Sequence, residues 1–287
     1  MTLKYLITGG TGGLGKHVLN YFTANVPFAE FAAASSNASN ESIFKDRGIA
    51  FRHVDYNDPQ SLETGLRDVE NLLFVSTSDK HRREQHARVW YTSLAFGGLQ
   101  NNSKAPVMQD HLYTEKLLEG SGLTYTSIRE GVYVECFTTF LDWYPERTGS
   151  ITLPPDGEVA YTSRAELGEA TARIMIQGGY TNQMVLFTAG EAITAGEIVD
   201  IINGTTGRQI KLDLVSREEY LRAWMHDPRG KPKEHFEMIA KIWDEIAKGA
   251  LHTTHPLLRE ILGREPTKPR DFVRNLLRED RNYVFPY

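Results

Sequence analysis

The sequence predicts an α/β fold, a doubly wound parallel sheet with a small mixed, mostly helical C-terminal lobe. Three observations predict it. Short apolar runs alternate with segments of helical period, the pattern of a parallel sheet with helices on both faces. The first run, Tyr5-Leu6-Ile7-Thr8, leads into Gly9-Gly10-Thr11-Gly12-Gly13-Leu14-Gly15, and Val18, Leu19 and Phe22 then follow at helical spacing. The chain has 287 residues, 40% of them hydrophobic, enough for one large domain with an appendage or two small domains. A strand, a glycine turn and a helix in that order begin a Rossmann fold.

Taken in order, strands are expected at residues 3–8, 30–34, 50–54, 71–76, 89–93, 125–129 and 184–188. Helices are expected at 13–24, 39–47, 59–66, 107–119 and 165–177. Beyond residue 129 the pattern loosens. Short strands fit at 150–153 and 159–163, and 216–279 reads as mostly helical, broken at Pro228, Pro232, Pro256 and Pro266. These elements place a dinucleotide-binding Rossmann domain at 1–150 and an interleaved substrate-side lobe at 151–287, the last Rossmann strand lying near 183–188. The connection between the fourth and fifth strands is short: residues 79–88 are polar and charged, with no apolar face. Parallel neighbours normally need a crossover of about a dozen residues or more. Either this is a stretched polar loop or the two strands are not neighbours.

The glycine segment fits two registers, G-x-x-G-x-x-G from Gly9 and G-x-G-x-x-G from Gly10. One glycine permits the tight turn, one lets phosphates approach the backbone, and one lets the helix pack close to the strand. No Lys-Ser or Lys-Thr pair closes it, which disfavours a nucleoside-triphosphate loop. The lone cysteine, Cys136, excludes a disulfide framework or a cysteine metal site and fits a reducing compartment. The first strand begins almost at once and leaves no room for a signal peptide, so a cytoplasmic protein is expected, the nucleus remaining open. No apolar run approaches membrane-spanning length. A net charge of −5 without a basic run disfavours direct nucleic-acid binding, and the histidines show no metal-ligand spacing.

Residues at carboxyl ends of strands line the ligand crevice of a doubly wound sheet. Asp55 there either accepts from an adenine amino group or shapes the turn before Asp58-Pro59; both roles are compatible. Ser35, Ser36 and Asn37 end the second strand with neither the acid that selects NAD nor the Arg that selects NADP. Val75, Ser76 and Thr77 either face pyrophosphate and riboses or form a strand-end turn. Tyr91-Thr92-Ser93 ends the fifth strand, and His111 and Tyr113 share the next helix with Lys116. Carbonyl reductases use a Tyr and a Lys four apart on one helix face; here Tyr113 and Lys116 are three apart. His111, with a neutral-range pKa, could donate a proton or hold the nicotinamide ribose, or simply be solvated.

These residues resemble the NmrA-like family of atypical short-chain dehydrogenases. The resemblance runs nearly end to end, through Thr8 to Gly15, Asp55-Tyr56, Leu72-Leu73-Phe74-Val75-Ser76, Tyr91-Thr92-Ser93, His111-Leu112-Tyr113-Thr114-Glu115, Arg129-Glu130-Gly131-Val132-Tyr133 and Ile242-Trp243-Asp244-Glu245. It implies a cofactor, NADP or NAD with NADP preferred, held by Gly9, Thr11, Gly12, Gly13, Leu14, Gly15, Ser35, Ser36, Asp55, Tyr56, Val75, Ser76, Thr77, Tyr91 and His111. It implies His111 near the nicotinamide, with Tyr113 beside it as candidate acid, and Tyr133 in the substrate pocket. Two departures stand out. The family's NADPH users carry Arg at the position of Ser36, and its members carry a full helix between the fourth and fifth strands, where about a dozen residues seem deleted here. Losing that helix should expose apolar surface at about 25 cal/mol per Å². Either a second copy covers it in a homodimer, or the chain is a splice or gene-prediction variant of reduced stability.

The resulting expectation is an NAD(P)H-dependent oxidoreductase that reduces a planar conjugated small molecule such as a quinone or enone. The alternative is a dinucleotide-sensing regulator that grips a protein partner and turns over little.

Overall fold

The computed structural model describes residues 2–75, 88–146, 149–224 and 231–286. The chain runs β1 (Leu3–Ile7), α1 (Gly15–Asn25), β2 (Phe31–Ser35), α2 (Glu41–Lys45), β3 (Ala50–His53), α3 (Pro59–Gly65), β4 (Val69–Phe74) and β5 (Arg88–Leu94). It continues through α4 (Pro106–Glu119), β6 (Thr124–Glu130), α5 (Phe137–Phe140), β7 (Ser150–Leu153), α6 (Arg164–Gln177) and β8 (Gln183–Phe187). It ends with α7 (Ala195–Thr206), β9 (Lys211–Leu214), α8 (Arg217–Ala223), α9 (Lys233–Ala247), α10 (Leu257–Leu262) and α11 (Pro269–Glu279). The seven long strands and five helices expected of the Rossmann part are all present, most within two residues of the expected ends. The helix expected at 39–47 is shorter because a 3₁₀ turn at Ala38–Asn40 replaces its start.

Two compact units interleave along the chain. The first comprises Met1–Ser93, Tyr113–Arg129 and Arg164–Val185; the second comprises Leu94–Leu112, Glu130–Ser163 and Leu186–Tyr287. The main sheet is parallel, in the order β3-β2-β1-β4-β5-β6-β8. Its strand order reverses at β1, which pairs with β2 on one side and β4 on the other. Parallel sheets are covered on both faces, so their strands read as continuous apolar runs. Leu6 packs with Ala32, Ala34, Val54 and Leu62 on one face. On the other, Phe22 of α1 meets Tyr5 and Phe31 edge-on at 5.1 and 5.6 Å between ring centres.

β4 and β5 are parallel neighbours, Asn71 opposite Arg88 and Phe74 opposite Tyr91, so the reading that they lie apart fails. The connection itself, 76–87, lies outside the described residues. The wet apolar face expected there is not found on β5. Val89 and Tyr91 are buried with Leu118 of α4, and Phe74 stacks on Tyr91 at 5.5 Å.

A buried ion pair joins α4 to β6. The Arg129 guanidinium donates to both carboxylate oxygens of Glu115, at 3.0 and 2.5 Å, and Ser127 donates to the same carboxylate at 2.7 Å. Burial pushes the Glu115 carboxyl up, but the hydrogen bonds from Arg129 and Ser127 outweigh it and hold the group below its ordinary range.

The second unit gathers α7, α9 and α11 around a core that includes Trp143, Tyr220, Phe236 and Trp243. α7 starts on a capping box between Thr194 and Glu197 and ends at Gly207 in the left-handed region, φ 75°. β7 stands where expected, and its parallel partner β9, Ser150 opposite Lys211, is an addition that the sequence did not announce. The strand expected at 159–163 does not form. Val159 and Thr162 each make one isolated bridge, to Ile193 and Tyr133, and the Thr162 hydroxyl accepts the Ala189 N–H, so no ladder extends. The late helices begin where prolines allow, after Pro232 and Pro256 and with Pro269 in the first turn. Pro228 lies outside the described residues.

Candidate functional site

The switch point of the first unit, where β1 parts β2 from β4, is where an open α/β sheet binds ligands. The turn after β1 is built for close approach. Gly9 takes φ 63°, and a Cβ there would also press on Val75 at 3.2 Å. At Gly15 a Cβ would collide with the Gly9 carbonyl oxygen, so α1 can pack onto the turn only with glycine at that position. Gly12 differs: it is exposed, and a Cβ would meet nothing but the Gly9 oxygen at 3.1 Å. Gly12 therefore leaves one side of the turn open. Thr8 closes the far wall, donating to the Leu73 carbonyl at 2.9 Å and accepting from the Val75 N–H at 3.1 Å. α1 begins at Leu14 without a side-chain cap and without an acid in its first turn. The Lys16 N–H donates to the Gly12 carbonyl and the His17 N–H to that of Leu14, while the positive end of the helix dipole there favours an anion.

One residue at this turn was not foreseen. Arg164 starts α6, and its guanidinium lies over Gly13, where any Cβ would strike it. α6 reaches that position because Gly168 lets it approach α1 closely; a Cβ there would come within 2.6 Å of the His17 Cβ. No local signal could have shown that a helix starting 151 residues after Gly13 returns to it.

The other expected residues sort by place. Thr11 is exposed beside Gly12, and Leu14 is buried at the start of α1. The Ser35 hydroxyl accepts from the Asn37 N–H and from the Asn40 amide, so it shapes its own loop. Ser36 is exposed, its carbonyl 2.9 Å from the His53 ring nitrogen Nε2. Asp55 accepts from the Asn57 N–H at 2.9 Å, the turn role, while Asp58 caps α3. Tyr56 packs edge-on to Phe74 at 5.2 Å, and burial pushes its phenol to about 12. Tyr91 belongs to the buried layer described above. Ser76 and Thr77 lie outside the described residues.

On α4, His111 is buried and Tyr113 is 65% exposed. Residues two apart on a helix point to different sides. His111 is instead in line with Glu115, one turn on, on the face that the Arg129 pair holds down.

In the second unit Tyr133 is partly buried, and its hydroxyl is 2.8 Å from Oε2 of Glu130. Glu130 ends β6 and is 1% exposed. Its other oxygen, Oε1, is buried with no hydrogen-bond partner. Burial raises its pKa to about 8 against the lowering effect of the Tyr133 hydrogen bond. The motif Arg129-Glu130-Gly131 was visible in the sequence; the burial of its carboxyl was not.

A polar groove of about 590 Å³ beside β3 and α3, lined by Arg52, His53, Asp58 and Arg67 among others, includes no glycine-turn residue. Among the described residues no cluster of His, Cys, Asp or Glu could hold a metal ion.

No protein-family profile matches the chain. Among curated proteins, an NmrA-like family domain-containing oxidoreductase of Aspergillus flavus is 52% identical, over 99% of this chain and 98% of its own. The chain belongs to the NmrA-like family of oxidoreductases. That alignment spans 301 positions, more than the 287 residues here, so the Aspergillus protein carries residues that this chain lacks. Quinone oxidoreductase 2 of Escherichia coli is 27% identical over 94% of this chain and 97% of its own. Among solved structures, the NADPH-dependent quinone oxidoreductase of Escherichia coli complexed with NADPH superposes with TM-score 0.84 at 26% identity, covering 95% of this chain and 99% of that one. The Citrobacter sp. triphenylmethane reductase complexed with NADP(H) gives 0.80 at 27%, with the same coverage. Likeness to NmrA itself is 12% identical and speaks for the fold alone.

Proposed function

We propose that this NmrA-like oxidoreductase uses NADPH or NADH to reduce a planar, conjugated small molecule such as a quinone or enone. The observation that carries the reading is the open glycine turn at Gly12, before a helix α1 that has no side-chain cap, with the Arg164 guanidinium over the neighbouring Gly13. A helix N-terminus and a cation beside one exposed glycine suit a pyrophosphate. The relatives named for quinone and dye reduction support the acceptor class.

The residues fit a dinucleotide. Gly12 leaves the approach open to the phosphates, Gly9 and Gly15 shape the turn, Arg164 over Gly13 pairs with the phosphates, and Ser36 and Asp55 lie at the strand ends where ribose and adenine belong. The cofactor, when bound, supplies hydride. His111 is assigned to the nicotinamide ribose. Tyr113, at 65% exposure, is assigned no step. The regulator alternative has no observation that favours it.

The test is oxidation of NADPH and of NADH, followed by absorbance, against a panel of quinones and enones. Turnover with at least one acceptor is expected. Arg164→Ala should raise the cofactor KM about tenfold, the scale of one charge-assisted contact. Cofactor binding without turnover on the whole panel would remove the reading.

A further inference from the structure

NADH and NADPH differ at one place, the 2′ position of the adenine ribose. A hydroxyl there donates to an acceptor, whereas a phosphate there calls for a cation or for N–H and O–H donors. We propose that His53 makes this chain's choice: its ring nitrogen Nδ1 accepts from the 2′-hydroxyl, so NADH is preferred to NADPH. The inference rests on the dinucleotide reading of the proposed function and deepens it.

The placement follows from the sheet of the first unit. β2 and β3 are parallel with Ser35 opposite His53, so the two strands end level. The carboxyl end of β2 is where a Rossmann sheet meets the adenine ribose. His53 is exposed there, and its ring nitrogen Nε2 is 2.9 Å from the Ser36 carbonyl oxygen. A carbonyl oxygen only accepts, so Nε2 carries the hydrogen. A neutral imidazole has one N–H, which leaves Nδ1 as an acceptor. The carboxylate that selects NAD in such sheets offers the ribose the same thing, an acceptor for its hydroxyl.

The other groups at the end of β2 serve their own loop. The Ser35 hydroxyl accepts from the Asn37 N–H and the Asn40 amide, and the Asn37 side-chain oxygen accepts from the Ser39 N–H at 2.9 Å. The cations between α2 and β3 have partners elsewhere. Lys45 pairs with Glu41 at 3.0 Å, and Arg47 donates to the Asn20 side chain at 2.9 Å. Arg52 lies on the opposite side of β3 from Phe51 and His53, because side chains alternate along a strand. Phe51 stacks on Phe44 of α2 at 5.8 Å, whereas Arg52 donates to the Gly65 and Arg67 carbonyls at the end of α3. A 2′-phosphate would therefore face the Nδ1 lone pair, with these cations engaged elsewhere.

The test is isothermal titration of NADH and of NADPH, separately, into the wild type, His53→Ala and His53→Arg. It is run at about pH 8, where imidazole is ordinarily neutral. The wild type should bind NADH about tenfold more tightly than NADPH, the scale of one hydrogen bond. His53→Ala should weaken NADH and bring the two affinities within about twofold of each other. His53→Arg should reverse the preference by about tenfold, because a guanidinium pairs with the phosphate. The ring is exposed and donates only to a loop carbonyl, so both variants should keep the wild-type thermal midpoint. Tighter binding of NADPH than of NADH by the wild type, or a ratio of affinities that His53→Ala leaves unchanged, would overturn the role of His53 while the dinucleotide reading stood. Binding of neither dinucleotide would remove that reading, and the role of His53 with it.

Discussion

Replacing Arg129 by methionine is expected to lower the unfolding free energy by about 3–5 kcal/mol, read as a shift in the urea midpoint. Arg129 is fully buried and Glu115 nearly so. Removing the guanidinium leaves a carboxylate without its cation in a site that water does not reach. The energy lost is chiefly that uncompensated charge, because a buried ion pair replaced whole by apolar groups often costs little. The double variant Glu115→Leu, Arg129→Met should therefore recover most of the loss. Additive losses would show instead that the pair contributes directly rather than through the penalty for breaking it. The same substitution should disturb His111, since Glu115 holds down the face of α4 that carries both.

Gly12→Val is expected to weaken dinucleotide binding by roughly 100-fold, about 2.8 kcal/mol, while leaving the unfolding midpoint nearly unchanged. Gly12 is exposed and its neighbourhood nearly empty, so the added side chain enters the cradle rather than the core. Gly15→Ala makes the contrast, because its Cβ would overlap the Gly9 carbonyl and the turn must deform. Loss of binding and of stability together in Gly12→Val would mean that the glycine serves packing, and the cradle would lose its support. Isothermal titration with NADPH and a denaturation curve on the same preparation separate the two.

What could be read in the sequence was what local chemistry sets. Glycines in a turn, apolar runs and helical periods act over a few residues, so β1, the turn and α1 were placed almost to the residue. The pairing of β7 with β9 brings together segments 61 residues apart, and no period records that. Thr162 illustrates the opposite error. Its surroundings, Val159 to Ser163, have strand-like composition, but single bridges to two different partners prevent a ladder. At the candidate site, the glycine turn was legible because Gly9 takes a left-handed φ and a Cβ on Gly15 would strike the Gly9 carbonyl. Arg164 was not, because its role depends on α6 returning to α1 through Gly168. Glu130 was in view within its motif, yet its meaning lies in burial and in an oxygen with no partner, which residue type alone does not reveal. The rings of Tyr91 and Tyr56, both expected among the ligand contacts, pack on Phe74 at 5.5 and 5.2 Å, a packing that their residue types alone do not announce.

The account stands on dinucleotide binding at residues 9–15. The most direct measurement is a separate titration of NADPH and NADH into the wild-type protein, followed by intrinsic tryptophan fluorescence, with Gly12→Val as the control. Saturable binding of at least one dinucleotide in the micromolar range, lost in Gly12→Val, is the predicted result. Failure of both dinucleotides to bind at millimolar concentration, with the protein folded, would contradict it.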